Sequence, residues 1–163
     1  AVIGPDFPMK KAVERIMFAK QFNAGQVCVN VDYIFVPEER IDEFVKACKT
    51  WVHKHCPDIT SPDYTSIIDQ RSYDRLTEAL ADAKNHGATL INLAENQEPQ
   101  AETRKIGPHL VLNTSDDMIL LQREILSMKY IVICRYTSAK LCATSVIGFR
   151  DLDLITKIIN YLL

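Results

Sequence analysis

The sequence predicts an α/β domain built around a largely parallel sheet, and three observations carry that expectation. Segments with apolar residues at helical spacing alternate with short apolar runs of strand length. The run "YIVIC" at 130–134 is apolar enough throughout to sit in a sheet covered on both faces. Finally, 163 residues with 47% hydrophobic and 25% charged content suit one compact domain of ordinary size and exclude a disordered chain.

Each element has its own local reason. Asp6, or the loop around Pro8, starts a helix over 9–22, in which Val13, Ile16, Met17 and Ala19 recur at helical spacing and Lys10, Lys11, Glu14 and Arg15 lie elsewhere on the wheel. Asn23, Ala24 and Gly25 stop it, because glycine takes the left-handed conformation at a helix end cheaply. A strand over 31–36 closes at Pro37. The clearest helix covers 38–53, where Ile41, Phe44, Val45, Cys48, Trp51 and Val52 form one apolar stripe. A third helix covers about 70–86, with Tyr73, Leu76, Leu80 and Ala83 inward, Asp69 as N-cap and Gly87 as C-cap. Strands are expected at 88–93, 109–112 and 130–135, and a last helix at about 152–162. No repeat and no low-complexity segment interrupts this order.

Bulk properties narrow the function classes. A net charge of −2 and a pI near 6.1 give no electrostatic reason for a nucleic-acid or membrane partner. The apolar runs are far too short to span a bilayer, and no basic-then-apolar leader is present, so a cytoplasmic location is expected. The five cysteines, Cys28, Cys48, Cys56, Cys134 and Cys142, are an odd number without regular spacing, which fits a reducing compartment better than a disulfide scaffold. The opening "AVIG" reads as the tail of a strand, and the closing "LDLITKIINYLL" is a helical pattern without a cap. Both ends read as cut, and the expectation is a piece of a longer protein.

The stretch "GQVC" (25–28) raises the chemical question. Gly25 keeps the backbone approachable after the helix stop. If Cys28 lies in the turn, its own N–H is available to an oxyanion formed when the sulfur attacks a carbonyl. The thiolate is the reactive form. The bland alternative is a buried structural cysteine at the edge of a strand.

Here the residues resemble a known family. "NAGQVC", continued by "VNVDYIFVPEERIDEFV", resembles the cysteine segment of the NAD(P)-dependent aldehyde dehydrogenases. The likeness extends through "AVIGPDFPMKKAVERIMFAKQF" before it and "PDYTSIIDQRSYDRLTEALADAKNHGA" after it, then through "IGPHLVLN" and "LQREI", over about residues 1–125. "GPDFP", "CVNVDY" and "DYTSIIDQRSYDRL" resemble the coniferyl-aldehyde dehydrogenase branch most.

The resemblance implies a three-layer catalytic domain around a mostly parallel sheet, truncated at both ends over 1–163. It implies oxidation of an aldehyde, coniferaldehyde-like by the branch resemblance, to a carboxylic acid with NAD or NADP as acceptor. Cys28 is then the nucleophile that forms a thiohemiacetal and a thioester, and its N–H is half of an oxyanion hole. Glu124 matches the family glutamate that binds the nicotinamide ribose, as a carboxylate accepting from two hydroxyls can. Three features differ from the family pattern: Gln21 on a usually apolar flank, Leu126 in place of an aromatic, and "SM" where Gly-Pro is usual. In the family the general-base glutamate, the oxyanion asparagine and the cofactor domain lie upstream of the matching start. The fragment alone is therefore expected to be inactive and its parent a homo-oligomer.

Other readings compete. "HKHCPD" (53–58) offers His53, His55, Cys56 and Asp58, but the spacing matches no standard zinc pattern. A thiol hydrolase would pair Cys28 with His86 or His109; His86 reads as a capping or solvated residue, and His109 as exposed. A non-catalytic, self-associating module is the third class, because uncovered apolar surface promotes association. The five glycines are scattered, so no dinucleotide-binding glycine loop is expected within this chain. Cys48, Cys56, Cys134 and Cys142 are assigned to structure.

Overall fold

The computed structural model describes residues 1–28, 30–95, 97–122, 130–137 and 140–141. Helix α1 (Met9–Gln21) follows Pro8, and a 3-10 turn (Phe22–Gly25) ends it. Strand β1 (Tyr33–Pro37) leads through a short 3-10 turn into α2 (Ile41–His55). Then come α3 (Gln70–Asn85), β2 (Thr89–Asn92), β3 (His109–Leu112), the short α4 (Ile119–Gln122), β4 (Tyr130–Thr137) and β5 (Lys140–Leu141). The helix expected at 152–162 lies outside the described residues.

The sheet is mixed, which corrects the largely parallel expectation. The strand order is β1-β4-β3-β2, with β5 on β4. β4 pairs in parallel with β1 (Phe35 opposite Cys134) and with β3 (Leu110 opposite Ile131). β2 and β5 run antiparallel to their neighbours. Apolar strand runs signal burial and carry no direction, so the two antiparallel pairings were not legible in them. Residues 1–3 lie beside the other edge of β1, where Ile3 N–H donates to Phe35 O at 2.9 Å and Phe35 N–H to Ala1 O at 2.8 Å.

Alternation along the strands divides the core between the two faces of the sheet. Ile34, Val36, Leu110, Leu112, Ile131 and Ile133 pack with Met17 of α1 and with Phe44, Cys48 and Val52 of α2. Phe35, Val111 and Tyr130 pack with Tyr73, Leu76, Ala79 and Leu80 of α3 and with Leu120 and Leu121 of α4. Val45 and Trp51, expected on the α2 stripe, are half-buried at its margin. Asp69 caps α3 as its sequence position predicts, accepting from Ser72 N–H at 2.7 Å. Gly87 follows α3 at φ +88°, a conformation L side chains rarely adopt.

Candidate active site

The site is built where α1 hands the chain to β1. The helix is stopped by three successive left-handed residues, Asn23 (φ 49°), Ala24 (φ 56°) and Gly25 (φ 76°). Glycine tolerates this; Ala24, which is fully buried, does so at a steric cost of roughly 1–2 kcal/mol. Non-glycine residues persist in such conformations when their surroundings over-determine them, and here the surroundings are a dense set of amide contacts.

Gln26 fills that role with both ends of its side chain. Its Nε2 donates to Asn23 O and to Ser66 O, both at 3.1 Å, and its Oε1 accepts from Ile68 N–H at 2.9 Å. The turn is thereby tied to the segment before α3, some 40 residues further along the chain. Asn30 closes the turn from the far side: its Nδ2 donates to Gly25 O at 2.7 Å, while its Oδ1 accepts from Val31 N–H at 2.7 Å. Backbone bonds from Val27 N–H to Gly25 O at 2.9 Å and from Asn30 N–H to Val27 O at 3.1 Å complete it.

Cys28 sits within this turn and its thiol is exposed. The buried-cysteine alternative is therefore wrong for Cys28 and right for Cys48, which has no exposure and whose thiol burial pushes far up from its ordinary value. Cys56 is half-buried. Cys134 belongs to β4; Cys142 lies outside the described residues. Among the described residues no hydrogen bond engages the Cys28 N–H.

Lys20 is a polar residue that the helical wheel could have flagged. It falls three residues after Met17 and four after Ile16, on the apolar stripe, and its side chain is fully buried. Its Nζ donates to Val31 O at 2.8 Å and to Asp32 Oδ1 at 3.4 Å. Burial lowers its pKa to about 8, against the opposing pull of Asp32.

The histidines are employed elsewhere. His109, expected to be exposed, is buried: its Nδ1 lies 2.8 Å from Gly107 O, its ring meets the Tyr130 ring edge-on, and burial holds its pKa below the ordinary value. The apolar residues of the strand that follows draw it into the sheet. His86 closes α3, with Nδ1 2.9 Å from Asp82 O and Nε2 3.8 Å from Asp117. Neither ring has Cys28 among its described partners, so the structure gives the thiol-hydrolase pairing no support. His55 stacks on Trp51 at 4.5 Å between centroids, and among the described residues no three His, Cys, Asp or Glu side chains converge on a point that could hold a metal ion. Glu124 lies outside the described residues. No helix among the described residues is long and apolar enough to cross a membrane.

Fold and site together define an α/β domain that offers an exposed thiol on a hydrogen-bonded turn between a helix end and a sheet strand. Comparison with known proteins identifies the family. The chain belongs to the aldehyde dehydrogenase family, whose profile matches residues 1–134. It is 46% identical over 127 residues to a Pseudomonas aeruginosa protein named "Probable coniferyl aldehyde dehydrogenase", covering 77% of this chain and 26% of that protein. Among solved structures, a substrate-bound AldH of Staphylococcus aureus superposes with a TM-score of 0.73 at 30% identity, over 85% of this chain and 29% of that one. An aldehyde dehydrogenase of Mycobacterium tuberculosis, solved with NAD+, gives 0.68 at 25% identity over 84% and 29%. The chain thus spans about a quarter of the length of the curated relative it matches.

Proposed function

We propose that this chain is the cysteine-bearing part of an NAD(P)-dependent aldehyde dehydrogenase and that Cys28 is its nucleophile. The observation that supports this best is the exposed Cys28 thiol on a turn whose backbone is fixed by Gln26 and Asn30. The Cys28 thiolate attacks an aldehyde carbonyl carbon, a C–S bond forms, and the carbonyl electron pair moves onto oxygen. The Cys28 N–H donates to that oxyanion. NAD or NADP, when bound, supplies the acceptor for the hydride that turns the thiohemiacetal into a thioester. Water then cleaves the thioester, releasing the acid and restoring the thiol.

Gly25 and Gly87, the two described glycines at positive φ, each stand at a helix end. Cofactor binding on this reading belongs mainly to residues beyond this chain, with Glu124 contributing a ribose contact. That division predicts an isolated chain that binds aldehyde without oxidising it. The substrate inference is an aromatic aldehyde of the coniferaldehyde kind, supported by the name of the 46%-identical relative. A homo-oligomeric parent in the cytoplasm is proposed from family resemblance alone.

The test is nuclear magnetic resonance with 4-nitrobenzaldehyde labelled with 13C at the carbonyl. The reading predicts a new resonance in the region of a tetrahedral carbon bonded to sulfur, absent from Cys28→Ala. If the same resonance appears in Cys28→Ala, or none appears in the unmodified chain, the assignment of Cys28 is wrong.

A further inference from the structure

We infer that Lys20 is a positioning residue for Cys28: its ammonium group closes the base of the turn that carries the thiol. The inference rests on the reading of Cys28 as an aldehyde-binding nucleophile.

The turn leaves α1 and returns at the start of β1. Lys20 lies in the last turn of α1, and its Nζ donates to the carbonyl of Val31 at 2.8 Å and to Asp32 Oδ1 at 3.4 Å. These are the two feet of the excursion. The ladder of β1 begins only at Tyr33, so the Val31 carbonyl stands before the first ladder pair and Lys20 is what holds it. Above this rung lies a second, from Asn30 Nδ2 to Gly25 O at 2.7 Å. Residues 26–28, Cys28 among them, belong to the excursion that these two rungs close.

Packing alone does not account for a lysine here. The side chain is fully buried on a stripe with Val13, Ile16 and Met17, where an apolar chain of equal length would fill the same space. Removing an ammonium from water is costly, and its one counter-charge among the described residues, Asp32, is a third exposed. What the ammonium contributes, and a thioether cannot, is a directed hydrogen bond from α1 to the returning backbone. Fixing that backbone fixes where the Cys28 N–H stands relative to its sulfur, which is the geometry an oxyanion requires.

The experiment separates geometry from exposure. Iodoacetamide needs only an accessible thiolate, whereas reversible capture of 4-nitrobenzaldehyde by the thiol also uses the N–H donor. The aldehyde concentration that half-protects Cys28 from iodoacetamide is measured by peptide mass spectrometry for the wild type, Lys20→Met and Lys20→Arg. Lys20→Met should raise that concentration about tenfold, the size of one charged hydrogen bond, with the aldehyde-free alkylation rate unchanged. Lys20→Arg, which keeps a buried cationic donor, should restore the wild-type value.

An unchanged half-protecting concentration in Lys20→Met overturns the inference, as does a Lys20→Arg variant that is folded yet as impaired as Lys20→Met. If Lys20→Met loses its native circular dichroism, Lys20→Gln replaces it, with the same expected and overturning results. If the wild type itself shows no protection, the proposed role of Cys28 falls. Amide exchange over residues 25–31 then decides Lys20. Faster exchange in Lys20→Met with wild-type exchange in Lys20→Arg supports the clamp, and equal exchange in all three overturns it.

Discussion

Cys28 and Cys48 stand in successive parts of the chain and are held by opposite means. Cys48 is sealed between Phe44 and Val52 on the buried face of α2, where burial pushes its thiol well up from the ordinary value and disfavours the thiolate. Cys28 is exposed. Its place is set by directional bonds from Gln26, Asn30 and Lys20 and by a left-handed backbone that only such bonds make tolerable. The contrast teaches that area burial stabilises the scaffold, while the chemistry rests on a small number of amide and ammonium contacts. A reactive group must stay reachable, and a reachable group cannot be fixed by packing.

The comparison can be broken or sharpened by substitution and by pH. The largest effect is expected from Phe44→Ala, which empties a fully buried position beside Cys48. It should cost about 3–5 kcal/mol in denaturant unfolding while leaving the alkylation rate of Cys28 in the folded state unchanged. A folded variant in which Cys28 alkylation also changes would show that the two regions are not separable.

Next is Lys20, whose folded pKa of about 8 lies below the 10.5 of an ordinary lysine. Between these values the unfolded chain binds more protons than the folded one, so stability rises with pH across that window. The gain should be about 3 kcal/mol, read as an increase in the denaturant midpoint between pH 8 and 10.5. It should vanish in Lys20→Met, which should also be at least as stable as the wild type at pH 7.

Gln26→Ala sharpens the contrast from the other side. It removes the contacts to Asn23, Ser66 and Ile68 and should cost about 1–2 kcal/mol. Amide exchange should accelerate over residues 23–31 and leave α2 unaffected; acceleration spread evenly through α2 would refute local control of the turn.

The smallest effect belongs to Asp69, the N-cap of α3, whose carboxyl is held below its usual range by hydrogen bonds from Ser72 and, more weakly, by the Arg71 and Arg75 charges. Its contribution is complete above the ordinary carboxylate range and is lost as pH falls through the depressed value. Thermal unfolding followed from pH 6 to pH 2 should show a small acid loss that Asp69→Ala no longer has, with no change at Cys28.

How far the sequence announces all this depends on the kind of information each feature needs. Helices α1, α2 and α3 are legible to within two or three residues, because periodicity and local caps such as Asp69 and Gly87 are contained in neighbouring residues. Cys48 is legible for the same reason. The antiparallel placement of β2 on β3 is not, since apolar runs encode burial and leave direction to distant partners. His109 was misread as exposed because its neighbours after "GP" give no local sign that Tyr130 will cover it. Lys20 shows the boundary most clearly. Its position on the apolar stripe is visible in the sequence, but its partners Val31 and Asp32 lie beyond a turn whose closure no periodicity describes. The importance of Cys28 came from motif resemblance, and its exposure came only from the structure.

The central claim, that Cys28 is a presented nucleophile and Cys48 a sealed core residue, is tested most directly by residue-resolved alkylation. The chain is exposed to iodoacetamide under native conditions, with and without 4-nitrobenzaldehyde, and each cysteine is followed by peptide mass spectrometry. The account predicts rapid labelling of Cys28 that the aldehyde suppresses, and no labelling of Cys48 until the chain unfolds. Labelling of Cys48 at a comparable rate in the folded chain, or labelling of Cys28 that the aldehyde leaves untouched, would contradict it.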